Sequence, residues 1–144
     1  MFHKAMLSLT ALFVFLALPD AAEAQRSPAP KNASIYIIWP SDGQVINGGK
    51  FWVRFGSRNV GIAPAGVEFE NTGHHHLIVD AELPPMDEPV PFDENHLHFG
   101  AGQTEARLEL PPGTHTLQML LANHEHLPHD PPVASKRITI IVPE

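Results

Sequence analysis

The sequence predicts an all-β domain, an immunoglobulin-like sandwich of about seven strands. Three observations predict it. Short apolar runs recur with a period of two, so that alternate residues line one face. Proline and glycine clusters separate these runs at close intervals. No stretch of the expected domain shows the 3.6-residue spacing of an amphipathic helix. Many short strands joined by turns, in a chain of this length, suit a two-sheet sandwich.

The elements follow in order. Ile35–Trp39 is the first strand candidate, ended by Pro40-Ser41-Asp42-Gly43. Lys50–Phe55 is the second, after Asn47-Gly48-Gly49, and residues 56–73 read as loop. Residues 74–80, HHHLIVD, form the third. Residues 81–95 hold Pro84, Pro85, Pro89 and Pro91, which exclude a long regular element and suggest a stiff loop. Thr104–Leu110 and Thr114–Ala122 both alternate and are joined by Pro111-Pro112-Gly113. Residues 123–133 are a proline-rich loop, and Ser135–Val142 closes the domain. At the proline-glycine corner stands His115, in phase with Leu117, Met119 and Leu121. Immunoglobulin-like sandwiches often place a hydrogen-bonding tyrosine there, so His115 is expected to be a structural corner residue.

The N-terminus reads as an address. Lys4 precedes the apolar run Ala5–Leu18, Pro19 ends it, and Ala22-Glu23-Ala24 offers small residues at both positions of a cleavage site. Residues 1–24 are therefore expected to be a signal peptide, residues 25–33 a flexible lead-in, and residues 34–144 one domain. The apolar run falls short of the roughly 20 residues that span a bilayer, so no membrane insertion is expected after cleavage. A periplasmic or secreted location follows. The chain has no cysteine, so neither a lipid anchor on cysteine nor a disulfide framework is available. Its net charge of −7 and lack of a basic run argue against nucleic acid.

Histidine is the distinctive residue. Ten occur, and eight form three clusters: His74-His75-His76, His96 with His98, and His124, His126 and His129. On a strand, histidines at i and i+2 point to the same face. His74 and His76 therefore share a face, with His75 in line with Leu77 and Val79. His96 and His98 share another, with Leu97 and Phe99 opposite. Such pairs can grip one metal ion, since imidazole suits copper, zinc, nickel and iron. With immunoglobulin-like connectivity, the triple histidine opens strand C, His96 and His98 lie by the D–E connection, and the third cluster occupies the F–G loop. All three then meet at one end of the sandwich, with His115 at the other. The candidate metal ligands are thus His74, His75, His76, His96, His98, His124, His126 and His129. With no thiolate, and Met119 reading as core, copper(II) or zinc is the expected ion. Free imidazoles take up protons near pH 6.5, so binding should weaken as the pH falls through that value. The neighbouring acids Asp93, Glu94, Glu125 and Asp130 allow a different outcome, a metal-free or pH-responsive hydrogen-bond network.

From Trp39 onward the chain resembles the bacterial domain-of-unknown-function 4399 family. The resemblance rests on WPSDGQVINGGKFWVRFG, GIAPAGVEFENTGHHHLIVD, DENHLHFGAGQTEARLELPPGTHTLQMLLANHEHLPHDPPV and ITIIV. It implies export and assigns neither ligand nor catalytic residue. The leading reading is a periplasmic copper or zinc carrier or buffer. Its rivals are a metal-dependent enzyme on the same sandwich and a metal-independent envelope interaction module. No catalytic triad is legible, and no motif names an envelope protein partner.

Overall fold

A computed structural model describes residues 25–144, and the expected signal peptide lies outside them. The described residues form strands and loops with no helix. The strands are β1 (Ser34–Trp39), β2 (Gln44–Val45), β3 (Lys50–Arg58), β4 (Gly61–Ile62), β5 (Thr72–Val79), β6 (His96–Phe99), β7 (Glu105–Glu109), β8 (Gly113–Ala122) and β9 (Ile138–Val142). The two-residue strands β2 and β4 raise the number above the seven expected. They are short edge pieces, paired in parallel with β9 and β5.

One sheet runs β1-β3-β7, and the other runs β2-β9-β8-β5-β4. β6 also pairs with β5. The central strand β5 is flanked by β8 along one edge. The other edge is shared, with β4 beside Thr72 and Gly73 and β6 beside His75–Ile78. This is the immunoglobulin-like sandwich that the period-two runs predict.

Alternation decides what each sheet buries. Leu77 and Val79 of β5, Phe99 of β6, Leu117, Met119 and Leu121 of β8, and Ile140 and Val142 of β9 face inward. They meet Ile35, Phe51, Val53, Phe55 and Leu108 from the opposite sheet. Full burial of each large apolar side chain contributes about 1.5–3 kcal/mol, which makes this interior the main source of stability. The outward residues of β5 and β8 are not left in water. Ile78, Leu120 and Ala122 form a second apolar cluster with Val90, and Leu83, Met86 and Ala134 pack against it. The proline-rich segment 81–95 thus lies over the outer face of the larger sheet. The histidines on that face inherit a dry environment.

The lead-in is tied down rather than free. The amide of Ala29 donates to the carbonyl of Asp130 at 2.8 Å, and the Asp130 amide to the Ser27 carbonyl at 2.9 Å. Arg26 Nε donates to the Pro128 carbonyl at 3.0 Å. The Asn123 side-chain amide reaches the Gln25 carbonyl at 3.0 Å and Ser27 Oγ at 3.1 Å. Residues 25–29 therefore brace the loop that carries His124, His126 and His129.

Candidate metal centre

Register brings the first two histidine clusters together. β6 is antiparallel to β5 with His76 opposite His98 and Ile78 opposite His96. Directly opposed residues of a pair stand side by side on one face. His98 therefore meets His76, and His74 lies one pleat further along the same outer face. Ring centroids are 5.1 Å apart for His76 and His98, 4.8 Å for His74 and His76, and 5.0 Å for His74 and His98. Each of the three offers a ring nitrogen, and these nitrogens all lie within 4.8 Å of one another. This group could hold a metal ion.

A fourth imidazole comes from the loop after β8. His126 lies with its ring centroid 5.0 Å from His74, 6.2 Å from His76 and 4.9 Å from His98. Its backbone has φ of 68°, a left-handed conformation that a residue other than glycine adopts only when its surroundings impose it. Asn123 does so. Its Oδ1 accepts the amides of Glu125 and Leu127, each at 3.0 Å, and its carbonyl accepts the His126 amide at 3.0 Å. The His126 carbonyl accepts the Val90 amide at 2.9 Å, which joins this turn to segment 81–95.

The rings of His74 and His76 are desolvated, and buried nitrogens of His74, His76 and His98 lack partners. His74 is 0% exposed and His76 1%. Both ring nitrogens of His74, Nδ1 of His76 and Nε2 of His98 are buried without a hydrogen-bond partner. An unsatisfied buried polar group costs about 1–3 kcal/mol, so the arrangement is unfavourable unless something fills it. Burial, with the nearby rings of His126 and His98 adding to it, pushes the His74 pKa down to about 3. Burial, then His74 and His98, takes His76 to about 2. His98 is lowered as well, by burial and by His126. The three imidazoles are accordingly neutral, the state that donates a lone pair to a metal.

Glycine makes room for the cluster. A Cβ at Gly100 would fall 2.2 Å from Cε1 and 2.6 Å from Nε2 of His98. Gly100 follows His98 by two residues, so the ring lies over the place where a side chain would stand.

The family described as "Domain of unknown function (DUF4399)" matches residues 53–143. The chain belongs to this family. The matched span contains every candidate ligand, and the family's description assigns no activity. No curated protein matches the chain. Among solved structures, the fibronectin(III)-like modules of Clostridium thermocellum CbhA are similar. Identity is 11% and the TM-score 0.37, over 75% of this chain and 92% of that one.

Four of the eight histidines singled out in this family member come together, and four do not. His75 points to the sandwich interior, where its ring meets Phe55 at 5.2 Å and its Nδ1 lies 3.2 Å from the Gln103 carbonyl. Its pKa is lowered by burial, against the opposing effect of that carbonyl. His96 lies beyond His98 toward the other end of β6, and its Nδ1 is 2.8 Å from Asp93. His129 is buried but turned away, with Nε2 donating to the Thr72 carbonyl at 3.1 Å. His124 lines a surface cleft with Phe69, Asn71 and His129. His96 and His98 also stand in a strand, not beside a D–E connection, because β6 pairs directly with β5. The cluster consequently sits on a sheet face rather than among end loops.

His115 takes the corner position. Its Nδ1 is 2.7 Å from Asp80 Oδ2 and its Nε2 is 2.9 Å from the Pro111 carbonyl. Burial opposes its charge, but the Asp80 and Pro111 hydrogen bonds outweigh burial and raise its pKa. Two residues of the site escape sequence reasoning. Gly100 carries a signal, a glycine at i+2 from a candidate ligand, just past the end of β6. Asn123 carries none, because its role depends on which turn the loop adopts.

Proposed function

We propose that this is an exported periplasmic protein that binds copper or zinc, as a carrier or buffer, with His74, His76 and His98 as ligands and His126 as the fourth. One observation carries the reading. Neutral imidazoles gather on a dry sheet face, and their buried ring nitrogens have no partner in the protein. A metal ion supplies the partner that hydrogen bonding does not. The apolar run and cleavage motif at residues 1–24 support export, and the acidic charge supports a cationic ligand over nucleic acid. Four protein ligands fill a four-coordinate ion, which favours holding an ion over catalysis at an open position.

The test is calorimetric titration of the mature protein with zinc and with copper(II), together with the metal content of protein taken from its own periplasm. The expected result is one ion per chain. Binding should stabilise the fold by about 2.7 kcal/mol at a hundredfold excess over the dissociation constant. His74→Ala with His76→Ala should abolish it. Binding by wild type no tighter than about millimolar would overturn the reading.

A further inference from the structure

We propose that the four-histidine site narrows the usual advantage of copper(II) over zinc(II), and that His126 is the residue that decides this. The inference rests on the metal-binding reading above and adds to it how the site discriminates between the two ions.

The argument is geometric. An imidazole nitrogen about 2.0–2.1 Å from zinc places its ring centroid about 3.2 Å from the ion. Four such rings around a tetrahedral ion have all their centroids about 5 Å apart, whereas around a planar ion neighbours fall at about 4.5 Å and opposite pairs at about 6.4 Å. Five of the six centroid separations here lie between 4.8 and 5.1 Å, and the sixth, His76 to His126, is 6.2 Å. A planar set requires two long opposite pairs. The pair opposite His76–His126 is His74–His98, at 5.0 Å. The four rings therefore form a tetrahedron with one stretched edge, whose centre is about the zinc-to-centroid distance from every corner.

Three of those corners are set by strand register and one by a turn. His74, His76 and His98 project from neighbouring strands of one sheet face. His126 comes down on them from the loop, held in a left-handed conformation by Asn123 and joined to segment 81–95 through Val90. It is the ring that closes the tetrahedron. Zinc has no electronic preference for shape and accepts this arrangement, whereas copper(II) with nitrogen ligands prefers a tetragonal one. The usual affinity order puts copper(II) above zinc at imidazole sites, so a site that resists flattening must narrow that gap. The chain has no cysteine to add the thiolate that would suit copper at a distorted site.

The experiment equilibrates the full mature protein in air with equimolar zinc and copper(II) in a buffer that chelates both, and reads the bound ratio by mass spectrometry. The same measurement is made on His126→Asn, because asparagine tolerates the left-handed turn and removes the ring. Cobalt(II), added alone, reports the shape of the wild-type site by visible absorption. The expected results are a copper advantage below about tenfold in wild type, an increase of about tenfold or more in His126→Asn, and the intense bands of tetrahedral cobalt. The inference is overturned if copper displaces zinc stoichiometrically from wild type, if His126→Asn leaves the ratio unchanged, or if cobalt shows the weak bands of six-coordination. In those cases metal is still bound and the proposed function stands. Absence of all three ions from wild type defeats both.

Discussion

Burying His74 and His76 in neutral form must make the metal-free protein sensitive to acid, and the size of the effect follows from their environment. In the unfolded chain each imidazole has the ordinary value of about 6.5. In the fold the two stand at about 3 and about 2, so neither holds a proton in the mildly acidic range. Between these limits the unfolded state binds more protons than the folded one, and stability falls as the pH falls. The contribution is complete above the unfolded value of 6.5 and is lost as the pH drops from there toward the folded values. From pH 7.5 to pH 5.5 each histidine should remove about 1.4 kcal/mol, and the pair about 2.7 kcal/mol. For a domain of this length that corresponds to a melting shift on the order of 10 °C. The assay is urea unfolding in the presence of a chelator at both pH values, for wild type and for a double variant carrying His74→Leu and His76→Leu. Other groups, including His75, His98 and His129, titrate alike in both proteins and cancel in the difference. Wild type should lose about 2.7 kcal/mol more than the double variant. Equal losses would show that the two rings are solvated or partnered in the folded chain, and the account of the site would fail with them.

The remaining predictions concern the ligand set and the corner. Four freely titrating imidazoles would weaken metal binding about 10⁴-fold from pH 7.5 to pH 5.5, but His74 and His76 hold no proton at either value. The loss measured by calorimetry should therefore be at least about a hundredfold smaller, so that acid weakens binding less steeply than four free imidazoles would allow. Gly100→Ala should weaken zinc binding about 10- to 100-fold by displacing the His98 ring, with a small change in the urea midpoint of the metal-free protein; unchanged affinity would refute the steric account. His115→Ala should cost about 1–3 kcal/mol of stability in thermal melts and leave metal stoichiometry unchanged. Because its folded pKa is raised, the stabilisation due to His115 charge is present below 6.5 and is lost as the pH rises through the folded value, so the destabilisation caused by this substitution should shrink in alkali.

Local pattern determined much of this protein. Alternation in Thr114–Ala122 placed Leu117, Met119 and Leu121 inward, and the same rule put His75 with Leu77 and Val79, away from His74 and His76. The proline-glycine corner marks His115 by sequence alone, since turn chemistry is carried by a few adjacent residues. Tertiary structure decided what depends on pairing partners. That β6 is a strand beside β5, with His98 opposite His76, is a matter of register between segments about 20 residues apart in sequence, and no local rule sets it. The third cluster shows the limit most clearly. His124, His126 and His129 lie on one short loop, and spacing cannot rank them. Only the turn held by Asn123, braced by residues 25–29 and covered by segment 81–95, selects His126 and turns the others away. Burial of the site had the same origin. The outer face of a sheet is ordinarily wet, and the histidines became dry and neutral because the proline-rich connection between β5 and β6 folds back over them.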